Sequence, residues 1–252
     1  MSGGLGDFWV DLHVHTVLSP CGELEMGARD IVARAREAGI DALAISDHNI
    51  CDNFPAIAAL ADGSPLILPA LEVQSAEDIH VVTIFPRIEV AINFQDWLWL
   101  KMPRVKNDPD VFGHQVVVDS NDDIVRMEDI LLIQGAGYDI DTIVSRANGM
   151  GAITIMAHAD RPSFAYPAVL GPMPEDYPVD AVELSWRVSS ETADGWRKNY
   201  PSVTFIRSSD SHTLDTINRS NCTKMRMMFP SFDEIMMAIH GRETRRVYWP
   251  WG

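Results

Sequence analysis

The sequence alternates short apolar runs with amphipathic helical stretches over most of its length. The apolar runs are typical of buried β-strands and occupy residues 8–12, 42–45, 66–71, 81–85, 152–157, 181–184 and 203–207. Helical spacing of apolar residues is found at 26–38, 54–61, 140–148, 191–199 and 232–240. Strands and helices that alternate in this way predict an α/β fold with a mainly parallel sheet or a barrel.

The alternation pauses between residues 86 and 138. Residues 90–100 have helical spacing, and residues 115–128 contain two alternating runs around a Ser-Asn-Asp-Asp turn, which is typical of a hairpin. We therefore predict a single domain over residues 1–252, with a helix-plus-hairpin insertion at about 86–138. A chain of 252 residues can bury the core of such a domain without disulfide support.

The chain is strongly acidic, with 20 Lys and Arg against 36 Asp and Glu and a formal net charge of −16. It shows no clustered stripe of Lys and Arg, so polynucleotide binding is not expected. Its three cysteines do not resemble a disulfide framework, residues 1–7 do not resemble a signal peptide, and no apolar run reaches 18 residues. These features predict a cytoplasmic protein without a membrane span, and they carry no signal for an oligomeric state.

Residue types that bind metals follow five of the apolar runs. They are His13 and His15, Asp47 and His48, Glu72, His158, and Asp210 and His212. A single histidine at a strand end is more often structural than functional, but five strand ends that carry such residues are hard to attribute to chance. Because the carboxyl ends of the strands carry the active site in β/α barrels, this pattern favours a barrel over an open sheet.

The ligand types limit the metal. Imidazole combined with carboxylate suits zinc, manganese or iron, whereas calcium or magnesium would not need these histidines. With His80 included, the candidates comprise six histidines, one glutamate and one aspartate, which is more than one tetrahedral ion requires. We therefore predict two or three divalent transition-metal ions as cofactors, held in part by shared carboxylates.

The candidate ligands lie in short motifs whose order resembles that of the polymerase and histidinol phosphatase (PHP) family. The motifs are HVHT at 13–16, SDHN at 46–49, LE at 71–72, AH at 157–158 and SDSH at 209–212. In addition, FGHQ at 112–115 and HADRPSF at 158–164 are similar to a bacterial subgroup that is labelled by analogy as phosphoesterases. The resemblance implies a distorted (β/α)7 barrel with a trinuclear metal site. It also implies hydrolysis of phosphomonoesters or, in polymerase-associated members, of phosphodiesters.

The resemblance further implies how the ligands are divided among the ions. One ion would be held by His13, His15, Glu72 and Asp210, a second would share Glu72 and take His80 and His158, and a third would take His48, His212 and Cys21. Many relatives have a histidine where this sequence has Cys21. The cysteine either replaces that histidine as a ligand or is a small turn residue, in which case only two ions bind. His80 is an unusual candidate because it begins an apolar run rather than ending one.

The function implied is hydrolysis of a small phosphomonoester, a metabolite or a nucleotide, by attack of a metal-bound hydroxide. Asp47 would either protonate the leaving group or orient a neighbouring histidine. Arg161 would either clamp a phosphate oxygen or form a salt bridge with Asp160 or an acid of the insertion.

Three other functions fit the sequence less closely. A phosphodiesterase or exonuclease acting on short oligonucleotides would use the same chemistry. An amidohydrolase-like deaminase or lactonase would share the opening His-x-His, but the Asp47-His48 pair and the closing Asp-x-His fit that class worse. A non-catalytic metal-binding module would keep the ligands without the reaction.

Overall fold

The computed structural model describes residues 4–252. Residues 1–3, which belong to the segment 1–7 that we expect not to be a signal peptide, lie outside the described residues. Its first half contains three parallel strands, β1 (Gly6–Val14), β2 (Ala42–Ile45) and β3 (Leu66–Gln74). They are connected by helices α1 (Ala28–Ala38) and α2 (Phe54–Ala61). Helix α1 ends at Gly39, whose φ of 65° is a left-handed conformation that glycine adopts without a steric penalty.

Strand β4 (His80–Ile84) runs antiparallel to β3, contrary to the parallel arrangement that the alternation predicted. The connection from Gln74 to His80 is a tight turn, and a parallel return would need a crossover of a dozen or more residues. In the resulting register His80 pairs with Gln74. The start of β4 therefore lies at the same end of the barrel as the carboxyl end of β3.

Between β4 and residue 138 the chain forms two helices and a hairpin. The helices are α3 (Ile88–Trp99) and α4 (Pro109–Phe112), and the hairpin pairs β5 (Val116–Val118) with β6 (Ile124–Met127). Val117 of the hairpin packs with Leu18, Ile50, Met102 and Leu132 in a small apolar cluster. The description of this segment as an insertion within one domain stays a prediction. Within residues 4–252, no helix combines the length and the apolar character that crossing a bilayer requires.

The second half returns to parallel strands. It contains α5 (Ile140–Gly149), β7 (Ile153–Met156), α6 (Tyr166–Leu170), β8 (Ala181–Glu183), α7 (Ser190–Asn199) and β9 (Phe205–Ile206), and the three strands pair in parallel. Helices α5 and α7 begin after Asp139 and Ser189, whose side chains accept hydrogen bonds from backbone N–H groups of the first turn.

Strands β10 (Thr223–Met227) and β11 (Arg246–Val247), with α8 (Phe232–Ile239) between them, complete the chain. The sequence analysis predicted α8 but neither strand. Strand β10 pairs antiparallel with β1. The Thr223 hydroxyl accepts a hydrogen bond from the N–H of Arg207 and donates one to its carbonyl, both at 2.7 Å, so β10 bridges the gap between β9 and β1.

The nine-stranded sheet follows the order β11-β10-β1-β2-β3-β4-β7-β8-β9 and curls into a nearly closed barrel. One apolar cluster fills its interior and takes residues from every strand except β11: Val10, Leu12, Ala42, Ala44, Leu68, Ala70, Val82, Ile84, Ile153, Ile155, Ala181, Ile206, Met225 and Met227. Only a closed sheet brings residues of so many strands together. The predicted α/β class and distorted barrel are therefore confirmed.

The barrel interior should contribute a large share of the stability. We expect Ile155→Ala, at a side chain that is 0% exposed, to lower the free energy of unfolding by about 2–5 kcal/mol, because it leaves a cavity in the interior of β7. The matched control is Ile124→Ala on β6, where the side chain is 66% exposed and the change should stay within about 0.5 kcal/mol. Denaturant unfolding of both variants tests this expectation, and equal losses would contradict the assigned interior.

Candidate metal centre

His13 and His15 reach the mouth of the barrel from the end of β1. The pairing of β1 with β2 changes register between Asp11 and Val14, and such irregularities redirect side chains near active sites. The two Nε2 atoms lie 3.1 Å apart, and both imidazoles are buried. This separation suits either a hydrogen bond between the two nitrogens or a cation that both of them bind.

Glu72 lies at the centre of the cluster. It belongs to β3 rather than following it, because β3 extends three residues beyond the predicted end at Leu71. Its Oε1 lies 2.8 Å from His80 Nδ1, 3.1 Å from His158 Nε2 and 3.4 Å from His13 Nε2, and its Oε2 lies 3.1 Å from His48 Nδ1 and 3.3 Å from His15 Nε2. One buried carboxylate thus contacts five imidazoles, and the antiparallel β4 explains why His80 is among them.

Asp210 and His212 approach from the loop after β9. Asp210 Oδ1 lies 3.4 Å from His13 Nε2 and 3.2 Å from His15 Nε2. The ring of His212 stacks on that of His15 with centroids 4.2 Å apart, and its Nε2 lies 3.1 Å from the sulfur of Cys21. The structure therefore brings all nine predicted ligand residues together at one end of the barrel.

The spacing of these donor atoms fits a metal ion. Four ligands at about 2.0–2.1 Å from a tetrahedral zinc ion stand about 3.3–3.4 Å from one another. His13 Nε2, His15 Nε2, Asp210 Oδ1 and the Glu72 oxygens are separated by 3.1–3.4 Å in the measured pairs. Two further groups of donors, His48 with Glu72 and His80, and His15 with His48 and His212, also lie within 4.8 Å of one another.

Two unpaired imidazole nitrogens also favour a bound ion at this cluster. His80 Nε2 and His158 Nδ1 are buried and hydrogen-bond to no group within residues 4–252. Buried polar atoms are almost always satisfied, so these nitrogens suggest contacts with an ion or with water. Cys21 lies at the exposed edge of the cluster and contacts His212, a position from which it could complete a third site.

The protein supplies opposing charges within this cluster. Burial alone would raise the pKa of Glu72, but the adjacent imidazoles of His80, His13 and His48 outweigh it and hold the pKa of Glu72 well below its usual value. Burial would likewise lower the pKa of His13, but Glu183, Asp210 and Glu72 together raise it well above the ordinary value. Both carboxylates, Glu72 and Asp210, are thus kept ionised, as metal ligation requires.

Asp47 lies behind the ligands rather than at the mouth. Its fully buried carboxylate accepts hydrogen bonds from the backbone N–H of Thr16 at 2.8 Å, from the hydroxyl of Thr16 at 2.8 Å and from the hydroxyl of Ser19 at 2.7 Å. Ser19 Oγ lies 2.9 Å from His15 Nδ1. This chain of hydrogen bonds favours the orienting role for Asp47 over that of a proton donor. Burial raises the pKa of Asp47, which by itself would favour a proton donor, but His15 and the hydrogen bonds from Ser19 and Thr16 oppose that shift.

Glu183 and Asp11 support the cluster from behind. Glu183, at the end of β8, contacts His13 Nδ1 at 3.2 Å with both oxygens and accepts a hydrogen bond from the N–H of His158 at 3.2 Å. Asp11 accepts a hydrogen bond from the N–H of Ser209 at 3.0 Å and so fixes the loop that carries Asp210. Glu183 lies within the predicted strand at 181–184, which is a weak sequence signal for a place at the mouth, and nothing in the sequence marks Ser19 or Asp11.

Arg161 joins the cluster through Asp210. Its Nη2 lies 2.5 Å from Asp210 Oδ2, and the side chain is 37% exposed. The alternative partner, Asp160, instead accepts a hydrogen bond from the N–H of Ser185 at 2.6 Å. A guanidinium is thus placed at the edge of the cluster, where it remains accessible from solvent.

Comparison with solved structures places this fold among metal-dependent phosphoesterases and endonucleases. A lesion-specific endonuclease from Pyrococcus furiosus superposes with a TM-score of 0.67 and 17% identity over 96% of this chain and 58% of the other. Endonuclease Q in complex with a 27-mer duplex substrate with an abasic lesion at the active site gives a TM-score of 0.67 and 16% identity over 96% and 58%. A two-domain protein from Bacteroides vulgatus that contains a predicted PHP-like metal-dependent phosphoesterase gives 0.59 and 16% over 98% and 66%.

These likenesses support the resemblance to the PHP family at the level of the fold. The chain spans 58% of the length of the two endonuclease chains, so their activity is not transferred to it directly. No family model and no curated protein matches the sequence.

The central position of Glu72 generates a prediction about metal content. We expect Glu72→Gln to reduce the metal that co-purifies with the protein from two or three ions to at most one, because the amide removes the charge that five imidazoles share. Elemental analysis without chelator or added metal measures this, with circular dichroism as a check on folding. Glu89→Gln on the exposed face of α3 is the control, and an unchanged content in both variants would refute a shared carboxylate.

The Asp47–Ser19–His15 chain predicts an effect on affinity. Ser19→Ala removes the hydroxyl that links His15 Nδ1 to Asp47 and should weaken metal binding about 10- to 100-fold. Competition with a chromogenic chelator measures the affinity. Ser145→Ala, at an exposed position of α5, should leave it unchanged, and a Ser19→Ala variant that behaves like this control would contradict the orienting role.

Proposed function

We propose that this protein is a metal-dependent phosphoric ester hydrolase that acts on a small phosphomonoester. The observation that carries the proposal is the convergence of five imidazoles on the buried Glu72 carboxylate at the open end of a barrel, with Asp210, His212 and Cys21 beside them. The proposed ligands are His13, His15, Cys21, His48, Glu72, His80, His158, Asp210 and His212. Barrels of this type carry their active sites at this end.

The metal ions, when bound, would supply a nucleophile at neutral pH by lowering the pKa of bound water towards ~7, and would offset charge on the phosphoryl oxygens. The protein would direct the substrate to them. The chain carries a formal charge of −16, so its surface as a whole repels a phosphate, whereas the metal-loaded cluster with Arg161 beside it would attract one. This contrast favours a substrate whose charge is concentrated in a single phosphate group.

Arg161 is the residue of this chain best placed to bind the substrate. Its guanidinium has five donors, of which Asp210 engages one at Nη2, and the side chain is partly exposed. The remaining N–H groups can donate hydrogen bonds to a phosphoryl oxygen. Asp47 would act only through Ser19 and His15, by holding the imidazole in one orientation.

Loss of a central ligand should abolish turnover. We expect His13→Ala and Asp210→Ala to eliminate phosphate release from nucleoside monophosphates and sugar phosphates while the fold is retained, because each removes a donor shared by the cluster. Phosphate release is measured after reconstitution with manganese, zinc or iron(II). The matched controls are His114→Ala and Asp194→Ala, both at exposed positions, which should keep full activity. Undiminished turnover in both ligand variants would refute the proposal.

Cleavage of a phosphodiester is the second candidate, because two of the similar solved structures are of endonuclease Q, one of them in complex with duplex DNA. The acidic surface argues against a long nucleic acid, which needs a matching basic footprint. The same preparation should therefore hydrolyse a nucleoside monophosphate faster than a short single strand or a duplex with an abasic site. The reverse order would replace the monoester proposal with the diester one.

The remaining candidates have separate signatures in the same assays. Release of ammonia from an amine or opening of a lactone, without phosphate release, would identify an amidohydrolase-like enzyme. Stoichiometric metal without hydrolysis of any of these substrates would identify a non-catalytic metal-binding module.

A further inference from the structure

Phe164 is an aromatic residue at the mouth of the barrel that the proposed chemistry does not use. It ends the loop after β7, which also carries His158 and Arg161. Its φ is 57°, a left-handed conformation that is unusual for a bulky residue, and its side chain is 41% exposed. An exposed aromatic ring in a disfavoured backbone conformation is held there by its surroundings, and such positions cluster at functional sites.

Two contacts with His80 fix this conformation. The Phe164 carbonyl accepts a hydrogen bond from the N–H of His80 at 2.9 Å. The Phe164 ring stacks on the His80 imidazole, with centroids 4.7 Å apart and an angle of 25° between the planes. One face of the phenyl ring is therefore covered by a proposed metal ligand, while the residue as a whole is 41% exposed.

The same short loop places a cation and an aromatic surface beside the cluster. Arg161 contacts Asp210 at 2.5 Å, and Phe164 contacts the cluster through His80. A phosphate held at the cluster would have the guanidinium as a partner, and the organic group attached to it would meet an exposed aromatic ring. If Phe164 only packed against His80 to hold it in place, an aliphatic side chain would suffice. Neither a flat ring nor its exposure to solvent would then be needed.

We propose that Phe164 stacks on an aromatic ring of the substrate, so that the substrate class is a phosphomonoester whose organic part carries a nucleobase or another planar ring. This inference rests on the proposed phosphoesterase function and narrows it. Stacking of this kind tolerates any base, because every base presents a π-face. It binds substrate and transition state alike and therefore acts on KM rather than on kcat.

The test compares two substrates in the reconstituted full-length protein. Phe164→Leu keeps apolar bulk but removes the ring, and it should raise KM for adenosine monophosphate about 5- to 100-fold with little change in kcat. The same variant should leave both constants for glycerol phosphate unchanged, because that substrate has no ring. Phe164→Tyr should restore the wild-type KM for the nucleotide. The control is Phe229→Leu, at a position 55% exposed after β10, where the same substitution should affect neither substrate.

Each outcome decides between the alternatives. Equal losses for both substrates, together with reduced metal content, would show that Phe164 only supports His80 and would overturn the inference. An unchanged KM for the nucleotide would overturn it as well. If the wild-type protein hydrolyses neither substrate, equilibrium binding of adenosine monophosphate to the metal-loaded protein separates the two proposals. Binding that weakens in Phe164→Leu would retain the stacking site and reject the phosphoesterase function, and absence of binding would reject both.

Discussion

The architecture of the mouth depends on one buried negative charge. Glu72 is almost completely shielded from solvent, and an isolated carboxylate in such a place would be strongly disfavoured. Five imidazoles surround it, and they come from β1, β4 and the loops after β2 and β7. Those elements can meet at Glu72 only if the sheet curls. Curling of the sheet into a barrel therefore also assembles the cluster. The carboxylates of the cluster need positively charged partners, and only other cations, such as metal ions, could take the place of the imidazoles.

Much of this arrangement could be predicted from the sequence because it depends on local patterns. Apolar runs identified seven strands, and the polar residues that follow them identified the face at which the site would form. The nine candidate ligands do lie together, although their roles as ligands remain a proposal. The prediction succeeded where a strand is buried on both sides, since such a strand is a continuous apolar run whatever its neighbours are.

The parts that could not be predicted depend on pairing between distant segments. The reversed direction of β4 follows from a short turn, and its apolar run is the same in either direction. Strand β10 alternates the buried Thr223, Met225 and Met227 with a half-buried lysine and arginine, a weak signal over five residues that becomes a strand only by pairing with β1. Ser19 and Asp11 act through hydrogen bonds to His15 and Ser209, and nothing in their sequence neighbourhood marks those partners.

Strain at the mouth connects the barrel with the proposed chemistry. His158, Asp210 and Phe164 all have positive φ, at 29°, 46° and 57°, and all three lie in loops that leave the carboxyl ends of β7 and β9. Each conformation is held by a contact made to a different element: the N–H of His158 by Glu183 of β8, Asp210 by Arg161 of the loop after β7, and the carbonyl of Phe164 by His80 of β4. A rigid barrel can maintain such conformations because its many strand pairings fix the positions at which the loops begin. The site is therefore organised by the sheet before any substrate arrives, and this preorganisation lets hydrogen bonds and charges act without further rearrangement.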